Sequence, residues 1–169
     1  MDRVHCATCK TEHDLSELEP SFARPDAFFA LPPDERATRV RDAGDACTIR
    51  DDAGTQRHYL RVRVPVPVRG EHEPFHWIAW AEIDAASWRR LVDEVCDGEA
   101  CTFQCDASLA NEFPGYLDTT LGLPGTMRVT DRRLRPAFTI DGAVRHALAS
   151  EQRDGIHAER LIEIVGAHG

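Results

Sequence analysis

Several things that would point to a ready-made function are missing from this chain of 169 residues. There is no excess of positive charge. Lys and Arg number 20 against 29 Asp and Glu, and the net charge of −9 would repel a phosphate backbone, whose neutralisation by cations supplies most nucleic-acid affinity. Nucleic acid and anionic membrane surfaces are therefore excluded as expected partners, whereas a basic protein remains compatible with the charge. No stretch approaches the ~20 apolar residues that a membrane helix needs. The start Met1-Asp2-Arg3-Val4-His5-Cys6 lacks the apolar run of a secretory signal, so the expected location is the cytoplasm. There is no phosphate-binding glycine loop, no nucleophile elbow and no H-E-x-x-H helix. Internal repeats and low-complexity tracts are absent as well.

With 42% hydrophobic residues the chain can bury a core of ordinary single-domain size. The expected organisation is one compact unit: a Cys/His segment over residues 1–20 and an α+β domain over 21–169. Pro20, Pro25, Pro32 and Pro33 leave no room for a long helix between them. Pro33-Asp34-Glu35 opens a surface helix continuing to about Asp42, because proline suits the first helical position and carboxylates favour the helix N-terminus. The signal then becomes strand-like from Cys47 and Ile49. The clearest strand alternates Leu60, Val62, Val64 and Val66 with Arg61 and Arg63, one face core and the other wet. After a polar turn, Phe75–Ile83 forms its hairpin partner.

Asp84 is a good N-cap for a helix over Ala85–Val95, with Trp88, Leu91, Val92 and Val95 on one face. Residues Asn111–Gly125 read as a long ordered loop. Met127–Val129 and Ala137–Ile140 are short strands, and two helices close the chain near Ala143–Arg153 and His157–Val165, the latter with Ala158, Leu161, Ile162 and Val165 on one face. Strands followed by helices, without βαβ alternation, predict an α+β fold: a mainly antiparallel sheet with helices packed on it and a zinc-knuckle-like N-terminal segment.

Chemistry concentrates at the start. Cys6-x-x-Cys9 places two thiolates within reach of one tetrahedral ion and His13 supplies a nitrogen donor, a set suited to zinc. A thioredoxin-type pair has the same spacing but follows a strand, and no strand is expected before residue 6. With no second C-x-x-C, the fourth ligand is Cys47 or, locally, His5. A site closed by four protein ligands is structural; one left open would activate water. Cys96, Cys101 and Cys105 lack knuckle spacing and read as buried small residues.

Further along, His146 and Glu151 invite an acid–base reading. At ~100° per residue, however, a continuous helix would set them about 140° apart. Gln152 shares a face with Leu148 and is expected to bond a loop carbonyl. Arg135 can clamp an anion or bond loop carbonyls and Asp118, and Tyr116 can meet a ligand or anchor its loop.

These residues together resemble a bacterial family, the domain-of-unknown-function family 2199. Cys6, Cys9 and His13 match its Cys-x-x-Cys-Gly-x-x-His, with Lys10 in place of the glycine. Pro25-Asp26, Glu35-Arg36 and Asp45-Ala46-Cys47 are similar to its pairs, and Phe75-His76-Trp77 with Trp80 to its aromatic strand. Phe113-Pro114-Gly115-Tyr116-Leu117-Asp118-Thr119 resembles its Leu-Pro-Gly-Tyr-Pro-Asp-Thr, with Leu117 in place of a proline. Leu134-Arg135-Pro136 and the run from His146 to Ile156 follow, Ala147 replacing a proline. Cys101 and Cys105 stand where the family has proline and glycine. The resemblance implies the fold and the zinc site and names no reaction.

Three functions follow as expectations. The first is a non-catalytic binding or regulatory module with structural zinc. The second is a small metal-dependent enzyme whose open zinc position faces His146, Arg135 or Tyr116. The third is an acidic inhibitor or immunity-type protein that neutralises a basic partner.

Overall fold

The computed structural model describes residues 3–5, 12–14 and 19–168. Cys6 and Cys9 lie outside the described residues, and of His13 only the backbone pairing is described. Strand β1 (Arg3–His5) pairs antiparallel with β2 (Glu12–Asp14), with Val4 opposite His13. A strand does therefore precede Cys6, contrary to the sequence reading. Its partner returns antiparallel from Glu12, so the connection has the length of a hairpin loop.

The rest is built on strands β3 (Val40–Asp42), β4 (Ala46–Arg50), β5 (Gln56–Val66), β6 (Phe75–Ile83), β7 (Phe103–Leu109), β8 (Pro124–Val129) and β9 (Ala137–Ile140). They form one seven-stranded sheet in sequence order, and β9 returns to β5. The closure is a parallel contact at Arg63 and Ala137, where the Arg63 N–H donates to the Pro136 carbonyl at 2.8 Å. Strands β5 to β9 thus make a five-stranded barrel, and β4 and β3 extend from β5 as a flap. The α+β class and the antiparallel β5–β6 hairpin, in register from His58 opposite Ile83 to Val66 opposite Phe75, hold. Closure into a barrel is new.

Strand alternation decides what fills it. Val62, Val64 and Val66 of β5 and Trp77, Ala79 and Ala81 of β6 point inward with Met127 and Phe138 and are fully buried. Each large side chain contributes about 1.5–3 kcal/mol by leaving water. Helix α3 (Ala85–Leu91) packs over one end, and the Asp84 carboxylate accepts from the Ser87 N–H at 2.6 Å, as an N-cap should. The expected helix to Val95 changes pitch: Val92–Cys96 is a π turn, with the Asp97 N–H on the Val92 carbonyl. Gly98 ends it, where a Cβ would lie 2.5 Å from the Glu94 carbonyl oxygen. At the far end, α4 (Ala147–Asp154) buries Leu148 and Ala149, and α5 (Ala158–His168) buries Leu161 and Ile164. Ile162, placed on the apolar face from the sequence, is 43% exposed.

A second cluster lies on the outer face of the same strands. Cys47, Ile49, Tyr59, Trp80 and Ala110 are covered there by Leu31 and the short helices α1 (Asp26–Ala30) and α2 (Pro33–Arg39). Helix α2 starts at proline and buries none of its residues, as expected, but it ends at Arg39 rather than Asp42. β-branched Val40 leaves the helix to pair with Ile49 and pack on this cluster. Pro20 and Phe22 clamp the cover to β6 through both backbone groups of Ile78, each at 2.9 Å.

Of the three later cysteines only Cys105, on β7, is buried. Cys96 closes the π turn and Cys101 lies in the loop before β7, both exposed, which corrects their assignment to the core. Among the described residues, no helix is long and apolar enough to cross a membrane.

Candidate functional site

The sequence pointed to Tyr116, Arg135, His146 and Gln152, and the structure gives each a definite partner. His146 lies outside α4. It is the N-cap, extended at φ −147 and ψ 146, and its Nδ1 accepts from the Leu148 N–H at 3.0 Å. Its Nε2 therefore carries the proton and donates to the Asp118 carbonyl at 3.1 Å. The helical separation of His146 from Glu151 is thus moot, and a third segment joins them. The Tyr116 ring sits 5.7 Å from the His146 ring, and its hydroxyl donates to Glu151 Oε2 at 2.6 Å. Arg160 completes the group, donating from Nε to Glu151 Oε1 at 2.8 Å and from Nη2 to the Gly115 carbonyl at 3.0 Å. Burial, then the Glu151 carboxylate, pushes the Tyr116 phenol well above its ordinary range, so it stays a neutral donor.

Gln152 is committed to the barrel. Its Oε1 accepts from the Ile140 N–H at 2.8 Å, and its Nε2 donates to the Phe138 carbonyl at 3.0 Å and the Pro65 carbonyl at 3.1 Å. One amide thus ties α4 to β9 and β5 near the seam. Arg135 lies elsewhere, paired with Asp45 (Nε to Oδ2, 2.9 Å) rather than with Asp118. The residues assigned to one open metal site therefore divide into two places, Tyr116 on the long loop with His146 of the α4 N-cap beside it, and Arg135 just ahead of β9.

Cys47 stands opposite Tyr59 and is 1% exposed. Burial, with Asp42 adding, pushes its thiol up to about 11, the behaviour of a cysteine in apolar packing. Among the described residues, no three His, Cys, Asp or Glu side chains converge as metal ligands.

The concave feature missed in the sequence lies between the cover and the outer barrel face. A cleft of about 620 Å³ has a floor of Ile49, Tyr59 and Ala110, with Leu31 on the side of the cover, within the size range of small-molecule sites. Its rim carries the carboxylates of Asp26, Glu35, Asp51, Asp52 and Glu82 against Arg39 and Arg57. Arg57 forks onto Glu82 at 2.8 and 2.6 Å, and Arg39 bridges Glu35 at 2.5 Å and Asp52 at 2.8 Å. Tyr59, only 1% exposed, has a buried hydroxyl without a partner among the described residues. Burial first, then the Glu82 carboxylate, raises its ionisation far above the usual phenol range, so it too remains a donor. A signal for this face existed: Ile78 and Trp80 are apolar out of phase with Trp77 and Ala79, so β6 is buried on both faces.

A family model described as an uncharacterized protein conserved in bacteria (DUF2199) matches residues 5–156, and the chain belongs to that family. The match takes in Cys6, Cys9, the whole barrel and α4, and stops before α5. No curated protein and no solved structure matches the chain.

Proposed function

We propose that this DUF2199 protein is a non-catalytic, cytoplasmic binding or regulatory module, with residues 1–20 a zinc knuckle forming one unit with the α+β domain. The observation that carries the binding role is the cleft under α1 and α2, with its apolar floor, its Tyr59 hydroxyl that has no partner among the described residues, and its acidic rim. That rim favours a ligand with an apolar body and a cationic group, or a basic segment of a partner protein. The alternative of an open-zinc enzyme is disfavoured by the commitments of His146 and Gln152 to backbone groups and of Arg135 to Asp45. Ala30 lines the cleft and is exposed, so Ala30→Trp fills it without disturbing the core. Nile red, a neutral apolar probe, is expected to fluoresce on binding the wild type and to bind Ala30→Trp about tenfold more weakly. Equal binding to the two proteins would remove the cleft as the site.

For the metal, Cys6 and Cys9 fall between two strands that pair as a hairpin, the setting of a C-x-x-C knuckle, and His13 lies on the second strand. The burial of Cys47 in the apolar cluster favours His5 as the fourth ligand over Cys47. Protein purified without chelator or affinity histidines is expected to hold about one zinc per chain, structural in role. Cys47→Ser should keep it and Cys9→Ser should lose it. Loss of zinc from Cys47→Ser would restore Cys47 as a ligand, and metal-free wild type would remove the knuckle.

A further inference from the structure

A second concave site, independent of the cleft, lies where the flap leaves the barrel. One edge of β5 changes partner within two residues: the Arg61 N–H donates to Asp45 ahead of β4, and the Arg63 N–H to Pro136 ahead of β9, both at 2.8 Å. Between the diverging strands opens a groove of about 700 Å³ whose floor includes Leu91 and Val95 and whose lip includes the exposed Leu134. Part of that floor is the π turn, an irregularity frequent at functional sites.

The charges here run against those of the whole chain. Arg61, Arg63, Arg132, Arg133 and Arg135 all line the groove, and the only carboxylates among its described lining are Glu19 and Asp45. Asp131 adds one more by holding Arg133 within its own turn. Five arginines against three carboxylates leave a local charge of about +2. The donors are underused as well. Arg61 Nε is buried without an acceptor among the described residues, although its Nη2 reaches Ser21 Oγ at 2.5 Å. The hydrogen bond of Arg63 among the described residues is Nε to the Arg135 carbonyl at 3.3 Å, which leaves its two terminal nitrogens for an incoming oxyanion. Arg135 and Arg61 share the single carboxylate of Asp45, at 2.9 and 3.8 Å.

We propose that this fork is a binding groove for a small phosphate monoester with an apolar substituent. Arg63 takes the phosphate through its terminal nitrogens, Arg61 contributes its charge, Arg135 is held at the groove's edge by Asp45, and the substituent lies toward Leu91, Val95 and Leu134. A phosphate dianion matches the local excess, and planar guanidinium donors suit its oxygens. The single negative charge of a carboxylate would leave part of that excess uncompensated.

Calorimetric titration of the full chain tests this with phenyl phosphate, inorganic phosphate and phenol. Phenyl phosphate should bind one to one, inorganic phosphate more weakly, and phenol not at all. Arg63→Gln should weaken phenyl phosphate about tenfold or more. Leu134→Glu, a change at an exposed lip that spares the fold, should do the same by repulsion. Arg153→Gln, on α4 outside the groove lining, with a side chain 59% exposed and paired with Asp154, should bind within about twofold of wild type. The proposal fails if neither phosphate binds, if Leu134→Glu binds as wild type does, or if Arg153→Gln loses as much as Arg63→Gln, which would mean a diffuse field. Ala30→Trp should leave this binding unchanged, which separates the groove from the cleft.

Discussion

Gln152→Leu is expected to lower the unfolding free energy by about 3–5 kcal/mol, a large part of the ~5–15 kcal/mol that holds a domain together. The replacement is of similar volume and keeps helix propensity, so the loss isolates the amide. Three backbone groups of two strands lose their partner at once, the Ile140 N–H and the carbonyls of Phe138 and Pro65. Two of them belong to β9 and one to β5, the strands whose own pairing is a single parallel contact. Gln152→Glu separates polarity from shape. Its second oxygen would face the two carbonyls that Nε2 now serves, so the carboxyl gains by staying protonated and its folded pKa rises above the unfolded value of about 4.3. The variant should be weakest near neutral pH and recover toward wild type as pH falls through that raised pKa. Urea denaturation of wild type and both variants, from pH 7 down to about pH 4, measures this. Near-wild-type stability of Gln152→Leu would show that the seam does not depend on the amide.

Why the sequence disclosed some of this and not the rest follows from particular residues. β5 and β6 were legible because Val62, Val64 and Val66 alternate strictly and one barrel face is dry. Asp84 and the start of α3 were legible because capping is local. β7 escaped even though Phe103, Cys105 and Leu109 alternate inward, because Cys105 was read with Cys96 and Cys101 as a spacing question. α4 begins at Ala147 because His146 caps it, a choice made by the Asp118 carbonyl 28 residues away. Barrel closure depends on Arg63 meeting Pro136, which no periodicity records. Of the candidate site residues, the sequence named Gln152, Tyr116 and His146 and their structural bent. It missed the cleft because Tyr59 and Trp80 acquire their significance only when the segment from Pro20 to Arg39 folds over them. Asn111 is a similar case: it looked like the start of a loop, yet it accepts from the Trp80 N–H at 2.8 Å and donates to the Arg24 carbonyl at 2.9 Å. Backbone bonds made by a side chain across 31 and 87 residues leave no local pattern.

The same closure makes Gly125 the most tightly enclosed of the described glycines. It lies on β8 between Ala107 of β7 and Ile140 of β9, fully inside the barrel wall. A Cβ there would overlap the Thr139 carbonyl oxygen and come within 2.6 Å of Phe138 Cζ. The ring could turn only by leaving the core, since Phe138 is 0% exposed, and the carbonyl belongs to the strand that closes the barrel. Relief must come from moving β9 away from β8, which also draws Phe138 O and Ile140 N from Gln152. The cost should reach the upper part of the overpacking range, about 3 kcal/mol or more, which in a chain of this size lowers Tm by about 6–12 °C. Gly142 provides the comparison: a Cβ meets nothing within 4 Å there, so Gly142→Ala should stay within about 0.5 kcal/mol of wild type. Thermal unfolding of Gly125→Ala, Gly142→Ala, Gln152→Leu and the double variant Gly125→Ala/Gln152→Leu decides the matter. Because both substitutions act on β9, the double variant should lose less than the sum of the singles. Strict additivity would mean that β9 does not move as a unit.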